Sequence, residues 1–135
     1  MSAAHAHKLP AACVRKLSAA LRRQDDIVAA WLFGSAARDA MHAESDVDVG
    51  VLVTVKPGLD RHLELMGLVM DAVRRDRVDL VILNDAHVVL RFEAVSGRLL
   101  VSRDDGERAS FVSLTAREYE DEMAFMTRGY QMNAA

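Results

Sequence analysis

At 135 residues, with one cysteine and a formal net charge of −3, the chain has the size of one domain and excludes an intramolecular disulfide framework. A hydrophobic fraction of 51% and a charged fraction of 27% belong to an ordinary soluble globular protein, and the acidic balance argues against a general nucleic-acid binder. No apolar run approaches the ~20 residues of a membrane span, and MSAAHAHKLPAA lacks the apolar centre of a signal peptide, so a cytoplasmic location is the expectation.

The whole span 1–135 is expected to form a single domain, with residues 1–8 frayed and His5 and His7 solvated within them. Pro10 suits a first helical turn, and Leu9, Cys13, Leu17 and Leu21 recur at four-residue steps, which predicts an amphipathic helix ending near Gln24. Cys13 on that apolar face reads as a small core residue. Asp25-Asp26 is a turn, and Ile27 to Phe33, apolar almost throughout, is a first and central strand. Ser35 opens a short helix through about Ala40, Met41 to Ser45 is a loop, and Asp46 to Val55 is the second strand.

Pro57-Gly58 breaks the chain before a helix whose apolar stripe is Leu59, Leu63, Met66, Met70 and Val73, closed by Arg74, Arg75 and Arg77. Val78 to Leu83 is a third strand with Asp79 inside it, a costly residue for a central strand unless it has a partner. That partner is either a bound metal or an arginine such as Arg77. Asn84-Asp85 offers an N-cap for a helix from about Ala86 to Ser96, stopped by Gly97. Arg98 to Arg103 is a short strand or arm. A long last helix follows, with Phe111, Leu114, Tyr119, Met123, Met126 and Tyr130 near one side and Glu118, Glu120, Asp121 and Glu122 on a solvated face.

Chemistry concentrates between Trp31 and Val53. In a strand, residues i and i+2 share a face, so Asp46 and Asp48 hang side by side while Val47, Val49, Val51 and Val53 turn to the core. Adjacent carboxylates repel, and a hard divalent cation such as Mg²⁺ removes that repulsion. Gly34-Ser35 presents backbone N–H groups and a hydroxyl, a small anion cradle. Arg38, one turn on, is placed to reach a triphosphate or the carboxylates, or else to pair on the surface with Asp39 or Glu44. Gly50, on the carboxylate face, leaves room for a ligand or marks a tight backbone approach.

Gly34-Ser35, ten residues, then Asp46-Val47-Asp48 resembles the G-S-x10-D-x-D signature of polymerase-β-like nucleotidyltransferases. Leu32-Phe33, Ala37-Arg38 and Ser45 fit its flanks. Within that superfamily the chain looks like a minimal nucleotidyltransferase (MNT), the antitoxin of HEPN/MNT toxin–antitoxin pairs, from about Leu17 to the final helix. The resemblance implies an α/β fold, a small mixed sheet packed with helices. It implies two Mg²⁺ ions on Asp46, Asp48 and Asp79, the last matching the family's third carboxylate, and ATP as substrate on Gly34, Ser35 and Arg38. It further implies a HEPN-domain RNase toxin as partner in a hetero-oligomer, silenced by AMP transfer to a tyrosine hydroxyl, with no direct nucleic-acid or membrane contact. One departure is Asp39, where many relatives carry Gly after the Ala-Arg pair; it adds negative charge near the cradle.

Two other readings stand beside this one. The chain could be a binding module that masks the toxin without chemistry, or a nucleotidyltransferase acting on a small aminoglycoside. The last generally requires an additional substrate domain, for which 135 residues leave little chain.

Overall fold

The computed structural model describes residues 8–41 and 46–134. The expected frayed terminus up to His7 and the loop residues 42–45 lie outside the described residues. The elements run α1 (Ala11–Arg22), β1 (Ile27–Phe33), β2 (Val47–Val53), α2 (Leu59–Val73), β3 (Val78–Ile82), α3 (Val88–Val95), β4 (Arg98–Ser102) and α4 (Asp105–Ala134). The strands form one mixed sheet in the order β3-β2-β1-β4. β1 pairs antiparallel with both β2 and β4, whereas β2 and β3 run parallel. Among the described residues no helix is long and apolar enough to cross a membrane.

β1 is central for the reason its sequence suggests. All seven of its side chains are buried, because strands flank both edges and helices cover both faces. On one face Ala30, Leu32 and the valines at 47, 49, 51 and 53 pack with Leu17 and Leu21 of α1 and Leu65 and Val69 of α2. On the other, Trp31, Phe33 and Leu52 meet Ala94 of α3, with Phe111 and Val112 of α4 against them. Arg61 of α2 ties the first layer to the α1–β1 turn through a two-point contact with Asp26, at 2.7 and 3.0 Å, which holds the Asp26 carboxyl below the usual carboxylate range.

Several expectations are corrected by packing. α2 buries Leu65, Val69, Ala72 and Val73, while Leu59 and Leu63 remain exposed, so its inward stripe is rotated from the predicted one. β3 is an edge strand, which lets Asp79 stand in solvent at no burial cost. Asn84 does not cap α3. It pairs instead with the main chain of Val53, accepting from its N–H at 3.0 Å and donating to its carbonyl at 2.9 Å, as a neighbouring strand residue would. His87 supplies the cap, its ring nitrogen accepting from Val89 N–H at 3.2 Å. None of the stripe expected along α4 is fully buried: Phe111, Tyr119 and Met123 are partly covered. Leu114, Met126 and Tyr130 are exposed.

Candidate active site

At the end of β1 the chain turns at Gly34, whose φ of +70° lies in the left-handed region. A Cβ at this position would meet Asp48 Oδ2 at 2.3 Å, so only glycine brings the turn this close to the carboxylate. The turn through Ser35 is a single 3-10 turn, Gly34–Ala36, and not the expected helix through Ala40. It closes when the N–H groups of Arg38 and Ala40 both donate to the Ser35 carbonyl, at 3.2 and 2.9 Å. That closure sets Asp39 at φ 54°, a conformation natural to glycine and tolerated by aspartate. A glycine at this position would relieve a backbone cost, apart from any effect of charge.

Asp48 lies on β2 opposite Phe33 of β1 and, across the parallel pairing, opposite Asp79 of β3. The pairing brings Asp48 and Asp79 to neighbouring positions on one sheet face. Its partial burial pushes the Asp48 carboxyl up to about 6, reinforced by the charges of Asp79, Asp46 and Glu93 and opposed by that of Arg38. Asp46 precedes β2 and is half-exposed, with Oδ1 3.3 Å from Arg77 Nε. Arg77 thus pairs with Asp46, not with Asp79. Among the described residues no three acidic, histidine or cysteine side chains stand close enough together to hold a metal ion. The donor set nevertheless suits Mg²⁺: hard carboxylate oxygens, one of them crowded by like charge beside a glycine that leaves its approach open.

Arg38 is exposed and, among the described residues, makes no ion pair with Asp39; Glu44 lies outside them. It borders an open cleft of about 720 Å³ that is also lined by Phe33, Gly34, Phe92, Glu93 and Tyr119. Arg98 adds a second cation to the wall. The rings of Phe92 and Tyr119 stack at 3.9 Å with 7° between planes, and the adjacent Arg91–Glu118 pair at 2.9 Å fastens α3 to α4. Apart from Gly34 and Arg38, nothing in the sequence marks these cleft residues as parts of a site. Val89, Phe92, Glu93 and Ser96 recur at helical spacing and could have been read as one face of α3, but Tyr119 is brought in from a distant helix. Gly50 has no ligand role: a Cβ there would meet Leu83 and Ala94 at 3.0–3.2 Å, so its missing side chain admits α3 to the sheet.

A mixed sheet that sets paired carboxylates beside a left-handed glycine turn is an α/β architecture suited to holding a nucleotide's phosphates. The chain belongs to the polymerase-β nucleotidyltransferase family, whose model, described as "Polymerase beta, Nucleotidyltransferase", matches residues 15–106. Among solved structures it is similar to a chain of a toxin–antitoxin complex crystallised with AMP-PNP, at 25% identity and a TM-score of 0.74 over 90% of this chain and 98% of that one. It shares its fold with a chain of an MntA–HepT toxin–antitoxin complex, at 24% identity and a TM-score of 0.68 over 91% and 97% of the two chains. The same holds for a complex of a tri-AMPylated Shewanella oneidensis HEPN toxin with MNT antitoxin, at 23% identity, a TM-score of 0.68 and the same coverage. No curated protein matches the chain.

Proposed function

We propose that this chain is an MNT-type antitoxin that transfers AMP from ATP to a tyrosine hydroxyl of a cognate HEPN toxin and so neutralises it. The observation that carries this reading is the left-handed Gly34 turn lying against Asp48, with Asp79 at the same register on β3. Similar chains occur in complexes with AMP-PNP and with an AMPylated HEPN toxin, which supports both the nucleotide and the acceptor.

In this reading the Gly34-Ser35 turn receives the β- and γ-phosphates through backbone N–H groups, and Arg38 adds a cation at the cleft edge. Asp46, Asp48 and Asp79 would hold two Mg²⁺ ions, which when bound supply charge neutralisation at the phosphates and lower the acceptor's pKa. Asp46 exchanges its Arg77 contact for this role. The tyrosine oxygen attacks the α-phosphorus, the bond from that phosphorus to the bridging oxygen of the β-phosphate breaks, and pyrophosphate leaves. The phenolic proton passes to Asp79, the solvent-exposed member of the pair. Such a transfer depends mainly on positioning and charge, which few residues can provide.

Incubating the protein with α-labelled ATP, Mg²⁺ and the product of the adjoining gene tests this directly. The expected result is label and about 329 Da per AMP on a tyrosine of that protein, a mass fixed by AMP addition with loss of water. An unlabelled but tightly bound partner would instead favour masking without chemistry.

A further inference from the structure

We propose that the cleft beyond Gly34 is the nucleoside half of the site: the Phe92–Tyr119 stack takes the base, and the Glu93 carboxylate accepts hydrogen bonds from the ribose hydroxyls. The inference rests on the nucleotide reading above and goes beyond it in assigning residues that lie outside the Gly-Ser and Asp-x-Asp signature. Phe92, Glu93 and Tyr119 border the same open cleft as Gly34 and Arg38, so a triphosphate seated on the turn has its nucleoside end beside them. A nucleotide fits the cleft's 720 Å³.

The chemistry of the wall is divided in the way a nucleoside requires. Arg38 and Arg98 are cations suited to phosphate, whereas Glu93 accepts hydrogen bonds and cannot donate them when ionised. It lines the same cleft as Gly34, whose turn lies against Asp48, so it stands near the reacting end. Ribose occupies that interval in a nucleotide, between α-phosphate and base. Phe92 and Tyr119 are only partly buried although they stack on each other, and exposed ring surface at a cleft mouth offers a platform for a base.

Titration calorimetry with Mg²⁺ and three probes tests the assignment: ATP, 2′,3′-dideoxy-ATP and inorganic tripolyphosphate. The wild-type protein should bind ATP about tenfold or more tighter than tripolyphosphate, the increment expected of base stacking. Tyr119→Ala should remove most of that advantage and leave tripolyphosphate affinity unchanged. Glu93→Ala, at an exposed position that does not support the fold, should abolish the preference for ATP over the dideoxy analogue; relief of charge repulsion raises both affinities but not their ratio. Equal wild-type affinity for ATP and tripolyphosphate, or an ATP-to-dideoxy ratio unchanged by Glu93→Ala, would overturn the nucleoside assignment while leaving the phosphate cradle intact. Failure of the wild-type protein to bind tripolyphosphate at all would instead remove the cradle, and this inference with it.

Discussion

Asp48 and Asp79 are direct partners across the parallel β2–β3 pairing, one partly buried and the other exposed. The two carboxylates therefore share a face but not an environment. Asp48 carries the desolvation that raises its pKa, and Asp79 remains open to an incoming group.

That asymmetry gives a pH-dependent prediction. The Asp48 carboxyl is raised from 3.8 to about 6 in the folded protein, so the native state holds a proton that the unfolded chain has already released. Stability should therefore fall as pH rises from about 4 to about 6, then stay lower above it. In metal-free buffer Asp48→Asn should stabilise the protein at pH 7.5 by about 1–2 kcal/mol, allowing for solvent screening at this partly exposed site. The gain should vanish near pH 3.5. Thermal denaturation of both proteins across that range is the measurement, and an equal gain at both ends would refute ionisation of a partly buried Asp48 as its cause.

Asp79→Asn separates catalyst from mask. As a transferase variant it should still bind nucleotide through Gly34, Asp46 and Asp48 but lose at least 100-fold in transfer, the scale of a lost general base. Neutralisation of the toxin should fall with it. Co-expression with the toxin, followed by growth measurement and the toxin's mass, decides the matter. Full rescue without added AMP mass would leave the masking module standing.

Gly34→Ala is enough to disturb the cradle. The added methyl falls 2.3 Å from Asp48 Oδ2 in a left-handed backbone, so either the carboxylate or the turn must move. Backbone strain alone costs about 1–2 kcal/mol. Affinity for Mg²⁺–ATP should drop about tenfold or more, since both the phosphate and the carboxylate positions shift. Unchanged affinity by calorimetry would separate this turn from nucleotide binding.

Asp39 tests backbone against charge. Its φ of 54° predicts that Asp39→Gly is tolerated or slightly stabilising, while a β-branched Asp39→Val loses about 1–2 kcal/mol. Equal melting temperatures for the two variants would contradict the strain argument. A gain in transfer rate specific to the glycine variant would add a separate electrostatic effect on the phosphates.

Sequence by itself determined the elements whose residues carry their own instructions. Seven apolar residues from Ile27 to Phe33 can be stable only with both faces covered, and the alternation from Val47 to Val53 separates a core face from a carboxylate face by the pleat alone. Gly34, Ser35, Asp46 and Asp48 were legible for the same reason, since their spacing is local to one strand–turn–strand unit. Tertiary structure decided the relationships between distant segments. Parallel pairing of β2 with β3 chose Asp79 as the neighbour of Asp48, and Arg77 went to Asp46 because both precede those paired strands. Edge placement of β3 removed the burial cost that Asp79 was expected to bear, and the close approach of α3 turned Gly50 from a candidate ligand space into a packing contact. The Phe92–Tyr119 wall exists only because α4 folds back across α3, a long-range contact set by burial of both helices on the sheet and written in neither segment alone.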